Sequence, residues 1–136
     1  MSSQSGSKVI SFADSNVIER GDGIETVMFS DPPAEGQDFI MGITSFPPGA
    51  SLARHSHNCV EQVTLLAGSG VVEVAGEQVR LRQYDTTQVP AGEAHRFEND
   101  SEEPMRILWV YGSTHVTRTF TDTGETVSNH GKPSGS

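Results

Sequence analysis

The sequence predicts an all-β domain of the sandwich, jelly-roll or barrel type, on three observations. Short β-prone segments recur roughly every ten residues, the spacing of strand-and-turn architectures. Turns rich in Gly (14 residues) and Pro (7 residues) divide them. No segment carries an apolar repeat at helical spacing. At 136 residues the chain fits a single domain with one core.

Taken in order, residues 1–7 are Ser, Gly and Gln apart from the first Met and read as a disordered tail. The body is expected over residues 8–127, and 128–136, with Gly, Lys and Pro, reads as a second loose end. Residues 8–12 suit a first short strand and 24–29 a second, ended by the breaker Ser30-Asp31-Pro32-Pro33. Residues 39–46 form a clear strand that stops at Pro47-Pro48-Gly49, a turn signature. Residues 62–66 stop at Gly68-Ser69-Gly70. Residues 71–75 and 78–82 flank Gly76-Glu77 as a hairpin, with Val79 and Leu81 inward and Arg80 and Arg82 outward. Residues 86–89 lead to the tight turn Pro90-Ala91-Gly92, followed by a strand over 94–98. The longest apolar strand is expected over 105–111 and the last over 115–121.

Within this β pattern, His55 and His57 are two apart and therefore point to the same side of a strand. Glu61 keeps that parity, and His95 follows Pro90-Ala91-Gly92 in a second segment. Three imidazoles and one carboxylate make a mixed N/O set suited to divalent zinc, iron, manganese, nickel or copper. Cys59 falls in the turn before Glu61 and is expected to do nothing. His115 belongs to the last strand, and His130 to the loose tail.

These residues resemble the cupin superfamily. Gly49, His55, His57, Glu61 and Gly68 occupy every fixed position of its first motif. Pro90, Gly92, His95 and Asn99 occupy those of its second, whose leading glycine is here Tyr84. A tyrosine there would be strained if the turn needs φ > 0. The resemblance spans residues 49–99 and implies a double-stranded β-helix, the cupin jelly-roll barrel, carrying one metal on His55, His57, Glu61 and His95. Iron, manganese or nickel is the metal that the resemblance favours, with zinc or copper as alternatives. It leaves the reaction open, because the superfamily spans dioxygenases, isomerases, epimerases, lyases and non-enzymatic binders.

Four protein ligands leave one or two coordination positions open, the arrangement of a catalytic rather than a structural site. Such a shell carries about one positive charge, from a divalent ion and one carboxylate, and favours an anionic ligand such as an enolate or catecholate. Glu61 is the candidate catalytic carboxylate. Strand parity then proposes pocket walls. Phe97 shares the face of His95; Ile107, Trp109 and Tyr111 share one face of the long strand, opposed to Leu108 and Val110; Met41 and Ile43 share a face opposed to Ile40 and Phe46. Among basic residues, only Arg54 was a candidate for the ligand-bearing side, and its parity points outward.

A formal charge of −9 and a pI near 4.8 argue against nucleic acid and anionic lipid as partners. No apolar run is long enough for a membrane span, and residues 1–7 lack the apolar stretch of a secretory signal, so a cytoplasmic protein is expected. The single cysteine allows no internal disulfide. A β-prone 8–12 segment outside the main barrel suggests a homodimer paired along that edge. The function expected is a small metal-dependent oxygenase acting on an enolisable or phenolic molecule. The alternatives are a non-redox isomerase, lyase or cyclase using the metal as Lewis acid, and a module that binds without turnover.

Overall fold

The structure, a computed structural model, describes residues 6–129. In chain order the strands are β1 (Val17–Gly21), β2 (Ile24–Phe29), β3 (Ile40–Phe46), β4 (His55–His57), β5 (Glu61–Ala67), β6 (Gly70–Val74), β7 (Glu77–Leu81), β8 (Thr86–Val89), β9 (His95–Glu98), β10 (Met105–Tyr111), β11 (Thr117–Phe120) and β12 (Thr126–Ser128). They form two six-stranded antiparallel sheets, ordered β1-β2-β3-β10-β5-β8 and β12-β11-β4-β9-β6-β7. No helix occurs among the described residues, and none there is long and apolar enough to cross a membrane. The expected all-β jelly roll is the observed fold.

The period-two pattern explains how each sheet turns one face inward. In β10, Met105, Ile107, Trp109 and Tyr111 are buried, alternating with less buried Arg106, Leu108 and Val110. β5 alternates in the same way, burying Glu61, Val63 and Leu65. β10 lies between β3 and β5, in register with both over most of its length. Ile24, Ile40, Phe46, Leu65 and Val116 complete the core between the sheets.

Position 84 keeps the backbone that the motif demands: Tyr84 adopts φ 73° and donates its N–H to the Leu65 carbonyl at 2.7 Å. Its side chain is exposed, so the ring takes no part in the core. Asn99, the last residue of the second motif, is fully buried. Its Nδ2 donates to the carbonyls of Phe46, Pro47 and Glu103, tying the loop after β9 to the end of β3.

Three expectations are corrected. Residues 8–12 form no strand; Val9 is 95% exposed, while Phe12 packs edge-on against Phe29 and carries the Arg106 guanidinium over its ring. A β-prone run without a neighbouring strand has nothing to complete its hydrogen bonds. The first strand is instead β1, paired to β2 through a turn at 21–23, and the dimer expectation loses its stated edge. The folded body also runs past residue 127, because Ser128 ends β12 and Asn129 is buried. Residues 1–5 of the expected N-terminal tail, and 130–136 with His130, lie outside the described residues. Finally, Leu81 is buried but Val79 is 48% exposed, because β7 is the outermost strand of its sheet.

Candidate metal centre

His55, Glu61 and His95 each open a strand, and His57 closes β4. β4 and β9 are neighbours, with His55 directly opposite His95. Past His57 the chain leaves this sheet through a turn held by Asn58. The Asn58 Nδ2 donates to the His115 carbonyl, and its Oδ1 accepts from the Thr117 N–H, both at 2.8 Å. The chain joins the other sheet at Glu61. Glu61 therefore reaches the imidazoles across the interior. Cys59 lies buried in this crossover, where burial raises its thiol pKa and keeps it protonated. His115 is exposed.

The three rings pack together with centroids 4.6 to 5.2 Å apart, and their nitrogens lie within 4.8 Å of one another. Each Nδ1 meets a backbone carbonyl: His55 that of Ala53 at 2.7 Å, His57 that of Thr117 at 3.0 Å, and His95 that of Glu93 at 3.0 Å. A carbonyl only accepts, so each Nδ1 carries the proton and each Nε2 keeps a lone pair. Burial, and then the neighbouring charges, hold His55 well below the ordinary imidazole range. Burial likewise lowers His57 to about 4, against the opposing pull of Glu61. Both are neutral near pH 7, the form that binds metals.

Glu61 Oε1 lies 3.0 Å from His95 Nε2 and 3.7 Å from His57 Nε2. Neither Glu61 Oε1 nor His95 Nε2 has a hydrogen-bond partner, although both are buried. Their short separation is thus an approach of two acceptors, a lone pair facing a carboxylate oxygen. Such an arrangement is costly in a buried site and is relieved by a cation between them. The residues present fit a divalent metal ion. Beside them the Tyr111 hydroxyl donates to His57 Nε2 at 3.3 Å and accepts from Asn129 Nδ2 at 3.1 Å. Burial, and then the Glu61 charge, push the Tyr111 phenol well above its usual value, so it stays protonated.

The cavity at the cluster is about 30 Å³. Phe97, Ile107, Trp109 and Tyr111 line it; Met41 and Ile43 do not. The expectation for those two is overturned by the residue between them. Trp109 stands opposite Gly42, and a Cβ at position 42 would collide with the indole and with the Val27 carbonyl. The indole N–H donates to Thr44 Oγ1 at 2.8 Å. The inward side of β3 is thus Ile40, Gly42, Thr44 and Phe46, and Met41 and Ile43 point the other way. Hydrophobicity alone ranks Met and Ile above Gly and Thr and misses a slot kept open for tryptophan.

Two arginines also line this cavity and were missing from the expectation: Arg20 of β1, 5% exposed, and Arg118 of β11, 4% exposed. Arg118 stands directly opposite His57, and Arg20 Nη2 donates to the Asn129 carbonyl at 3.3 Å. Burial, and then repulsion from Arg118, lower the Arg20 pKa to about 10, which leaves it charged at neutral pH. The available signal was parity: Arg118 shares the face of Val116, and Arg20 that of Ile18. Arg54, the basic residue singled out from the sequence, ion-pairs with Glu73 at 2.7 Å. A larger pocket of about 430 Å³ adjoins the cavity, and Arg20 and Leu52 belong to the walls of both.

The comparisons with known proteins agree with this architecture. The chain is 36% identical over 71 residues to the tetracenomycin polyketide synthase protein TcmJ of Streptomyces glaucescens, covering 52% of this chain and 48% of that protein. It is 32% identical over 74 residues to a mannose-1-phosphate guanylyltransferase of Klebsiella pneumoniae, covering 54% of this chain but 16% of that protein. The chain thus spans less than half the length of either relative. A solved structure from Thermotoga maritima, described as "a predicted oxalate decarboxylase", superposes with a TM-score of 0.69 at 23% identity, covering 78% of this chain and 99% of that one. An RmlC-like cupin from Shewanella frigidimarina gives 0.66 at 18% identity, covering 79% and 92%. At these identities the two structures show the fold alone. The cupin domain model matches residues 42–111, the stretch that holds all four ligand candidates, and the chain belongs to the cupin family.

Proposed function

We propose that this cupin is a metal-dependent enzyme acting on a small enolisable or phenolic molecule, with dioxygen as co-substrate. The observation that carries the metal is the face-to-face pair of buried acceptors, Glu61 Oε1 and His95 Nε2, beside two imidazoles held neutral. His55, His57, His95 and Glu61 would hold the ion, and iron, manganese or nickel suits the mixed N/O set. A divalent ion there supplies Lewis acidity and, if redox-active, a one-electron couple.

The chain's own groups set the rest. The Ala53, Thr117 and Glu93 carbonyls fix the ring tautomers, and the Nε2 lone pairs face the interior. Glu61 is the carboxylate that would receive the proton an enol or phenol gives up on binding, through the oxygen that the ion leaves free. Tyr111, kept protonated, offers a hydroxyl beside His57. Phe97, Ile107 and Trp109 form an apolar part of the cavity wall and limit water there. The substrate class is supported by the Streptomyces glaucescens relative, named for a polyketide synthase. Polyketide chains are poly-β-ketones, which enolise and aromatise to phenols.

Oxygen uptake tests the reading. Protein loaded anaerobically with Fe(II), Mn(II) or Ni(II) is mixed with a panel of 1,3-diketones and catechols, and oxygen is followed at an electrode. Uptake that depends on both metal and substrate is expected. Substrate turnover without oxygen consumption would replace the oxygenase by an isomerase, lyase or cyclase in which the metal acts as Lewis acid. Stoichiometric metal with no turnover of any compound would leave a binding module.

A further inference from the structure

We propose that Leu52 is a specificity-determining partition, dividing an outer pocket that holds the substrate's body from the small space where its head meets the histidines. The substrate class rests on the proposed function; the division itself follows from size. The cavity at the cluster, about 30 Å³, has room for one or two waters. An aromatic ring needs far more, since an engineered apolar cavity of about 150 Å³ is what takes up benzene. The adjoining pocket of about 430 Å³ falls in the range of small-molecule sites, roughly 300–1,000 Å³. Ile24, Leu52 and Phe120 give it an apolar side. The ring system of an enolisable or phenolic substrate therefore fits the outer pocket, and only its oxygen-bearing end reaches the metal ligands.

Arg20 and Leu52 are the residues common to the walls of both spaces. Arg20 is held in place: its Nε donates to Thr26 Oγ1 at 3.5 Å and its Nη2 to the Asn129 carbonyl at 3.3 Å. Leu52 is partly buried and packs on the core, and a leucine side chain has no hydrogen bond to break when it changes rotamer. The backbone on either side of it is tethered. Ser51 bridges to Glu98, the Ala53 carbonyl accepts from His55 Nδ1, and the Arg54 carbonyl accepts the Thr121 N–H at 3.1 Å. Passage between the two spaces is thus set by the Leu52 side chain and not by a loop that swings away. A ligand that extends straight back from its metal-binding oxygens passes, whereas a substituent beside those oxygens meets Leu52.

The test uses the full chain with Leu52→Ala, Leu52→Phe and, as control, Val74→Ala, a second partly buried residue on the core but outside both spaces. In metal-free protein, acrylamide quenching of Trp109, the single tryptophan and a wall of the inner cavity, reports access. The quenching constant should rise at least twofold in Leu52→Ala and keep its wild-type value in Val74→Ala. Equal constants in wild type and Leu52→Ala, or an equal rise in Val74→Ala, overturn the partition. Protein loaded anaerobically with Mn(II), its metal content measured, is then titrated with 4-ethylcatechol and 3-ethylcatechol by calorimetry. The wild type should bind the 4-isomer at least tenfold more tightly than the 3-isomer. Leu52→Ala should cut that ratio to threefold or less, and Leu52→Phe should weaken both isomers. A ratio unchanged by Leu52→Ala overturns the specificity role. If the wild type holds no Mn(II), or holds it but binds neither catechol, the proposed function falls and quenching alone decides the partition. Should Leu52→Ala fail to fold, Leu52→Val takes its place and must raise the quenching constant.

Discussion

Replacing Gly42 with Ala isolates the contact that decides which face of β3 is internal. The added methyl would meet the Trp109 indole and the Val27 carbonyl, the latter a backbone atom of the neighbouring strand. Gly42 has no left-handed φ, so alanine suits its backbone and the penalty is steric alone. Overpacking of this kind costs about 1–3 kcal/mol. Displacing the indole also removes its buried hydrogen bond to Thr44, a further loss of about 1 kcal/mol. Against this, alanine restricts the unfolded chain by about 0.4–1 kcal/mol. The net expectation is a loss of about 1–3.6 kcal/mol, or roughly 3–18 °C in melting temperature for a domain of this size. Urea unfolding measures the loss, and the emission of Trp109, the single tryptophan, reports whether the indole has moved. Part of the penalty should vanish when Trp109 is first replaced by Phe, with a coupling of about 1 kcal/mol or more between the two sites. Wild-type stability together with unchanged emission in Gly42→Ala would show that the indole does not fill this slot.

Three further outcomes are expected. His57→Ala and His95→Ala should each retain several-fold less metal by elemental analysis, and full stoichiometry in both would exclude the cluster as the metal site. Metal-free protein should lose stability as pH falls below about 6.5, because the unfolded chain takes up protons on His55 and His57 that the folded state accepts only at lower pH, about 4 for His57. The loss approaches about 1.4 kcal/mol per pH unit for each imidazole in that window; a urea midpoint that stays flat from pH 7 to 5 contradicts buried neutral rings. Tyr84→Gly should leave stability unchanged or raise it by up to about 1 kcal/mol, since it relieves a left-handed backbone at an exposed side chain. A loss of more than about 1 kcal/mol would mean that the ring makes a contact the fold depends on.

What the sequence determined alone is local in origin. Turn chemistry at Pro47-Pro48-Gly49 and Gly76-Glu77, and period-two alternation along 105–111, depend on each segment's own residues, and they placed most strands within a residue or two. The parity of His55 and His57 belongs to the same class, because residues two apart share a strand face wherever the strand goes. The tertiary structure decided what parity leaves open. Alternation divides a strand into two sets, and only the opposite layer selects the inner one. In β3 that layer brings the Trp109 indole over Gly42, so the weaker hydrophobic set lies inside. Residues 8–12 have the composition of a strand, but a strand needs a hydrogen-bonding neighbour that composition does not supply. Arg20, Arg118 and Asn129 are far apart in the chain and polar, so each alone looks solvent-facing. Closure of β1, β11 and the segment after β12 around the histidines buries all three.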